Sequence, residues 1–167
     1  MFKNCEELLT NIKKYIDINY DPFAIVNVGK SINKNDYKSM RNIENVRDRV
    51  NKNLSQTWQE KLFEIIDSNG LNEVDIYKKA ELSRQTFSKI RSDVNYHPDK
   101  DTVIRFCLGL KLDLEDSLDF LAKAGYTLSN AIKRDLIFKY ILEKKIYDVM
   151  IIDSVLLEMN LPLLGKY

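Results

Sequence analysis

The chain has 167 residues, 44% hydrophobic and 31% charged, with a formal net charge of +1; this suits one folded core with a small appended lobe and excludes wholesale disorder. Five Gly and three Pro leave few tight turns, so long helices and an all-α architecture are expected. No apolar run approaches the roughly 20 residues of a membrane span, and the N-terminus lacks a signal-peptide core, so a cytoplasmic location is expected.

Residues 6–18 place Leu8, Leu9, Ile12, Tyr15 and Ile16 on one side of an amphipathic helix, with Lys13, Lys14 and Asp17 outside. Asn19 and Pro22 end it. Residues 23–28 are β-prone but have no partner strand of similar quality, so an extended connector or at most an edge strand is expected. Residues 29–41, rich in Asn, Lys and Ser, read as a linker. Ile43, Val46, Val50 and Leu54 then return to helical spacing. Arg41, Arg47, Arg49 and Lys52 make the outer face of that segment basic, a candidate source of accessory phosphate contacts.

Thr57 and Glu60 form a capping-box pattern for the next helix, in which Trp58, Leu62, Phe63, Ile65 and Ile66 face inward and Asn69-Gly70 closes the run. Trp58 is expected to anchor the core. Residues 71–92 read as two short helices joined by a tight turn, the layout of a helix-turn-helix. Ile76 and Ala80 share one inner face, Leu82 plugs the turn, Ser83 caps the second helix, and Phe87 and Ile90 face inward from it. Arg84, Gln85, Ser88, Lys89 and Arg91 are left pointing outward, with polar groups able to meet phosphates and base edges.

A turn at residues 96–99 leads to a mostly buried helix over 102–110, through Val103, Ile104, Phe106, Cys107 and Leu110. Asp113 is an N-cap signal for a helix that buries Leu118, Leu121 and Ala122 and stops at Gly125. Ser129 is expected to cap the following helix, whose apolar stripe is Ile132, Leu136, Ile137, Tyr140 and Ile141. Residues 147–159 make a last helix that is apolar on more than one face, and Pro162 ends regular structure. Such a helix calls for cover from its own domain or from a second subunit, and a homodimer is expected.

From about residue 71 to 125 the pattern resembles the Cro/CI-type (XRE-like) helix-turn-helix domain of phage and bacterial repressors. The likeness is carried by Ile76, Ala80, Leu82, Ser83, Thr86, Phe87, Ser88, Lys89 and Ile90, then by residues 102–110 and 112–116 as the closing helices. It implies a lambda-repressor-like core in which the second of the paired helices reads DNA, with contact roles for Arg84, Gln85, Ser88 and Lys89. Tyr77, Glu81 and Arg91 depart from the family pattern, where a small residue, a turn glycine and a frequent acidic residue stand. A positive φ at Glu81 would cost on the order of 1 kcal/mol. A second resemblance, through residues 87–92, 124–126, 147–148 and 163–165, is to a helical module that follows macro and other domains in Firmicutes-type bacterial proteins. It implies a portable sensing or docking unit.

Three parts follow: an N-terminal helix, linker and basic segment over 1–55, the helix-turn-helix core over 56–126, and a C-terminal helical pair over 127–167 that supports self-association or completes the core. Their net charges are +3, −3 and +1. The acidic middle block runs against the basic excess usual in DNA-binding domains. Residues 24–31 fit a relaxed P-loop pattern and 149–153 an apolar run ending in Asp, but Ala24 replaces the first glycine and no alternating strand-helix pattern supports a parallel sheet. His97 sits in a Pro turn and the paired carboxylates fall at helix starts, so no enzymatic activity, metal or cofactor is expected. Cys5 and Cys107, about a hundred residues apart with no CxxC, are read as reduced thiols. The function expected is a non-enzymatic regulator binding double-stranded DNA as a dimer; the alternative is a protein-interaction adaptor or sensor on the same scaffold, for instance in a phage or bacterial conflict system.

Overall fold

Local signals at helix ends set the architecture. In the computed structural model, which describes residues 5–20 and 56–165, there are eight helices and no strand among the described residues. They are α1 (Cys5–Asn19), α2 (Trp58–Ser68), α3 (Glu73–Lys79), α4 (Arg84–Ser92), α5 (Lys100–Gly109), α6 (Leu114–Lys123), α7 (Lys133–Glu143) and α8 (Val149–Glu158). The β-prone segment 23–28, the linker, the P-loop-like stretch and the basic residues Arg41, Arg47, Arg49 and Lys52 lie outside the described residues.

Most helices begin on a side-chain cap. Thr57 and Glu60 form the full reciprocal box at α2, and Asn72, Ser83, Asp99, Asp113 and Asp148 each accept a backbone N–H of the first turn they precede. Among the helices whose N-cap is described, the exception is α7. Ile132 occupies its N-cap without a side-chain bond, and Ser129 instead closes a local turn by accepting from the Ala131 amide at 3.1 Å. Ser129 sits four residues ahead of the helix, beyond N-cap reach, and Ile132 is 43% exposed instead of joining the stripe.

The C-terminal ends share a device that composition hides. Helices α2, α3, α5, α6, α7 and α8 all finish on a left-handed residue: Gly70, Glu81, Lys111, Gly125, Lys145 and Asn160. In each case the next amide reaches back five residues, as in Leu82 N–H to the Tyr77 carbonyl (2.8 Å) or Leu112 N–H to the Cys107 carbonyl (2.9 Å). The residue after the left-handed one is always large and apolar (Leu71, Leu82, Leu112, Tyr126, Ile146, Leu161), so its burial offsets the strain. Only two of the six are glycine. Replacing Glu81, Lys111 or Lys145 by Gly is therefore expected to stabilise the fold by about 0.5–1 kcal/mol each, read as a rise in the urea midpoint.

Helix α5 is the hub, buried at every residue from Thr102 to Gly109. It packs on α3 and α6; α6 in turn meets α2 and α7. Gly109 lets α5 approach the end of α3 closely, since a Cβ there would lie 3.3 Å from the Ala80 nitrogen. Helix α1 lies across the C-terminal pair, against α7 and α8, so one buried cluster runs from Leu8 through Phe106 and Leu136 to Leu164. Trp58 is buried, with its ring 6.4 Å from that of Phe120. Ala122, expected inside, is exposed because the inner face of α6 is taken by Ser117, Phe120 and Leu121.

Two crossed ion pairs join the starts of α5 and α7. Lys100 Nζ donates to both oxygens of Asp135 (2.6 and 2.7 Å), and Arg134 donates bidentately to Asp101 (2.6 and 3.0 Å). Arg134 also donates to the carbonyls of Pro162 and Leu163, which binds the C-terminal segment to the same junction.

Burial pushes the Cys107 thiol up to about 12, outweighing the neighbouring Ser117 hydroxyl. The phenols of Tyr15, Tyr96, Tyr140 and Tyr147 are raised too, first by burial. All five groups are neutral in their protonated form and easier to ionise once unfolded. Their support is thus complete below the unfolded values and is lost as pH rises from about 9 toward 12. Urea midpoints are expected to fall steadily in that window, and less steeply in Cys107→Ala.

Candidate nucleic-acid interface

The site is built on α4. Ser83 Oγ accepts from the Thr86 amide at 3.0 Å, which fixes where the helix begins. Phe87 and Ile90 are buried, and Phe87 packs edge-on or tilted among Phe63, Tyr77 and Phe106 with ring centroids 5.5–6.3 Å away. With its apolar side so anchored, α4 cannot rotate. At its far end Gln59 of α2 donates to the carbonyls of Ile90 (2.8 Å) and Asp93 (2.7 Å), bracing the one helix of the last seven that lacks a left-handed end. Gln59 carries no sequence signal, since a half-buried Gln at a helix start breaks no pattern.

The five outward residues expected from the sequence are all exposed: Arg84, Gln85, Ser88, Lys89 and Arg91. The structure brings them onto one helix face, uncovered by the C-terminal pair. They are not equivalent. Arg84 and Lys89 have no ion pair among the described residues, whereas Arg91 is paired with Glu73 of α3 and lies 5.5 Å over the Phe63 ring. Arg91 is therefore partly spent within the chain.

Tyr77, the bulky departure, is half-buried against Phe87 and does not swing clear. It lines a cleft of about 470 Å³ between α3 and α4 together with Glu73, Val74, Arg84, Phe87 and Arg91. The two helices are joined through a turn in which Glu81, with no glycine beside it, takes φ of +53°. Charge along this face is mixed. Glu73 of α3 lines the cleft beside Arg84 and Arg91.

His97 is exposed in its turn, stacked on Tyr126 at 5.5 Å, and Tyr126 donates to the Pro98 carbonyl. No group of three or more His, Cys, Asp or Glu is placed to hold a metal ion among the described residues. None of the described helices is long and apolar enough to cross a membrane. No family model, curated protein or solved structure matches this chain.

Proposed function

We propose that this chain is a non-enzymatic regulatory protein that binds double-stranded nucleic acid through the outer face of α4, as a dimer that sets two copies of that helix in successive grooves. One observation carries the reading: α4 is locked by its apolar side while Arg84, Gln85, Ser88 and Lys89 stay exposed and Arg84 and Lys89 keep their charges unpaired among the described residues. Arg and Gln near a helix start are the groups that reach guanine and adenine edges, and Lys89 suits a phosphate.

A protein-docking role is the second reading. The carboxylate of Glu73 beside the face opposes phosphates, and the cleft with Tyr77 and Phe87 suits an apolar side chain. Electrophoretic shift with random genomic fragments at two salt concentrations separates the two. Nucleic-acid reading gives binding that weakens steeply with salt, by a slope near the number of phosphates neutralised; protein docking gives no shift at micromolar chain.

A further inference from the structure

Helix α8 presents a face that the rest of the described chain leaves open. Met150, Ser154 and Leu157 follow one another at spacings of four and three, so they share a stripe. Met150 is 73% and Leu157 67% exposed, while Ile152, Val155 and Leu156 opposite them are buried. Ser154 at the centre is small, and its hydroxyl is already satisfied by donating to the Met150 carbonyl at 2.8 Å.

Two clefts flank this stripe at opposite ends. By the start of α8, Lys78, Lys79 and Lys111 gather beside Val149 and Met150 around a cleft of about 370 Å³; Glu81 and Asp148 also line it and leave it net positive. By the end of α8, Glu6 and Glu158 rim a cleft of about 360 Å³ walled by Leu9, Ser154 and Val155. The face is positive at one end, negative at the other and apolar between.

We propose that the occupant of this face is a second copy of the same chain. A two-fold axis passing by Ser154, perpendicular to the line joining the clefts, sets each lysine cluster against the partner copy's glutamates and each Met150 against the partner copy's Leu157. The patch is complementary to itself, as a two-fold interface requires. Close approach is allowed at the centre because Ser154 adds little bulk. This pairing rests on the dimeric reading above for its biological use, but not on nucleic-acid binding for its existence.

Sedimentation velocity of the full chain from 1 to 200 μM tests it, with circular dichroism confirming that each variant keeps its helices. Expected are a wild-type dimer that weakens with salt, at least tenfold weaker association in Leu157→Lys, and similar weakening in Lys78→Glu/Lys79→Glu. Adding Glu6→Lys/Glu158→Lys to that double variant should restore association to within a few-fold of wild type. A wild-type chain that stays monomeric throughout, a dimer indifferent to Leu157→Lys, or a charge swap without recovery would overturn the proposal. Dimerisation without any duplex binding would leave it standing and remove only the nucleic-acid reading.

Discussion

Arg105→Ala is expected to destabilise the fold by about 3–5 kcal/mol and to free residues 160–165 from α8. Arg105 is 2% exposed in the middle of the hub helix. Its guanidinium donates to the Leu164 carbonyl (3.0 Å) and to Thr102 Oγ1 (2.9 Å). Asp153, itself buried, accepts from the amides of Leu164 (2.7 Å) and Gly165 (2.9 Å). A cation and an anion thus grip the two ends of one residue, and Leu164 fills the core beneath them. Truncating Arg105 opens a cavity and leaves the Leu164 carbonyl without its guanidinium donor. Asp153→Ala should cost somewhat less, about 2–3 kcal/mol, since two amides lose an acceptor. The Arg105→Met/Asp153→Leu double variant, which removes both charges and keeps the volume, should cost less than the two alanine variants summed. Urea unfolding followed by Trp58 fluorescence reads the energies, and amide exchange at Leu164 and Gly165 reads the strap. A loss below 1 kcal/mol for Arg105→Ala would show that the clamp is ornamental.

The second large effect falls on binding. Arg84→Ala/Lys89→Ala is expected to lower duplex affinity by roughly 100-fold, from about 1–3 kcal/mol for each lost contact, with thermal stability almost unchanged because both side chains are exposed. Arg91→Ala should lower it by much less, since Glu73 and the Phe63 ring already hold that guanidinium. Glu73→Gln should raise affinity a few-fold, by releasing Arg91 and removing a carboxylate from the face. Fluorescence anisotropy with a labelled duplex at fixed salt ranks the four proteins. A loss in Arg91→Ala as large as in the double variant would mean that the intrachain pair does not decide which cation is available.

Much of the fold is legible in residue spacing. Caps at Thr57, Ser83 and Asp113 and the inward sets Leu8-Ile12-Ile16 and Ile76-Ala80-Leu82-Phe87-Ile90 depend on helical period and on side chains bonding their own first turn, both local properties. The outward face of α4 follows by subtraction. What spacing cannot convey is a partner far along the chain. Arg105 reads as a polar interruption in an apolar helix until Leu164 returns to it, and the crossed pairs Lys100–Asp135 and Asp101–Arg134 join residues more than thirty positions apart. Helix ends at Lys111 and Lys145 are hidden for another reason: the left-handed residue is followed there by an apolar neighbour packed on the core, with no glycine to announce it. Ser129 misled because a good capping residue four positions early makes a turn instead. Arg91 could be placed on the outer face by period, while its capture by Glu73 required the angle between two helices that the turn alone sets.

On the proposed reading, the polar face of α4 is where this protein meets another macromolecule. Amide chemical shifts of the full 15N-labelled chain, followed as a duplex is added, test this most directly. Arg84, Gln85, Ser88 and Lys89 are expected to move first and furthest, with α7 almost still. Saturable duplex binding that leaves these four unmoved, or the absence of any shift with excess duplex at low salt, would contradict it.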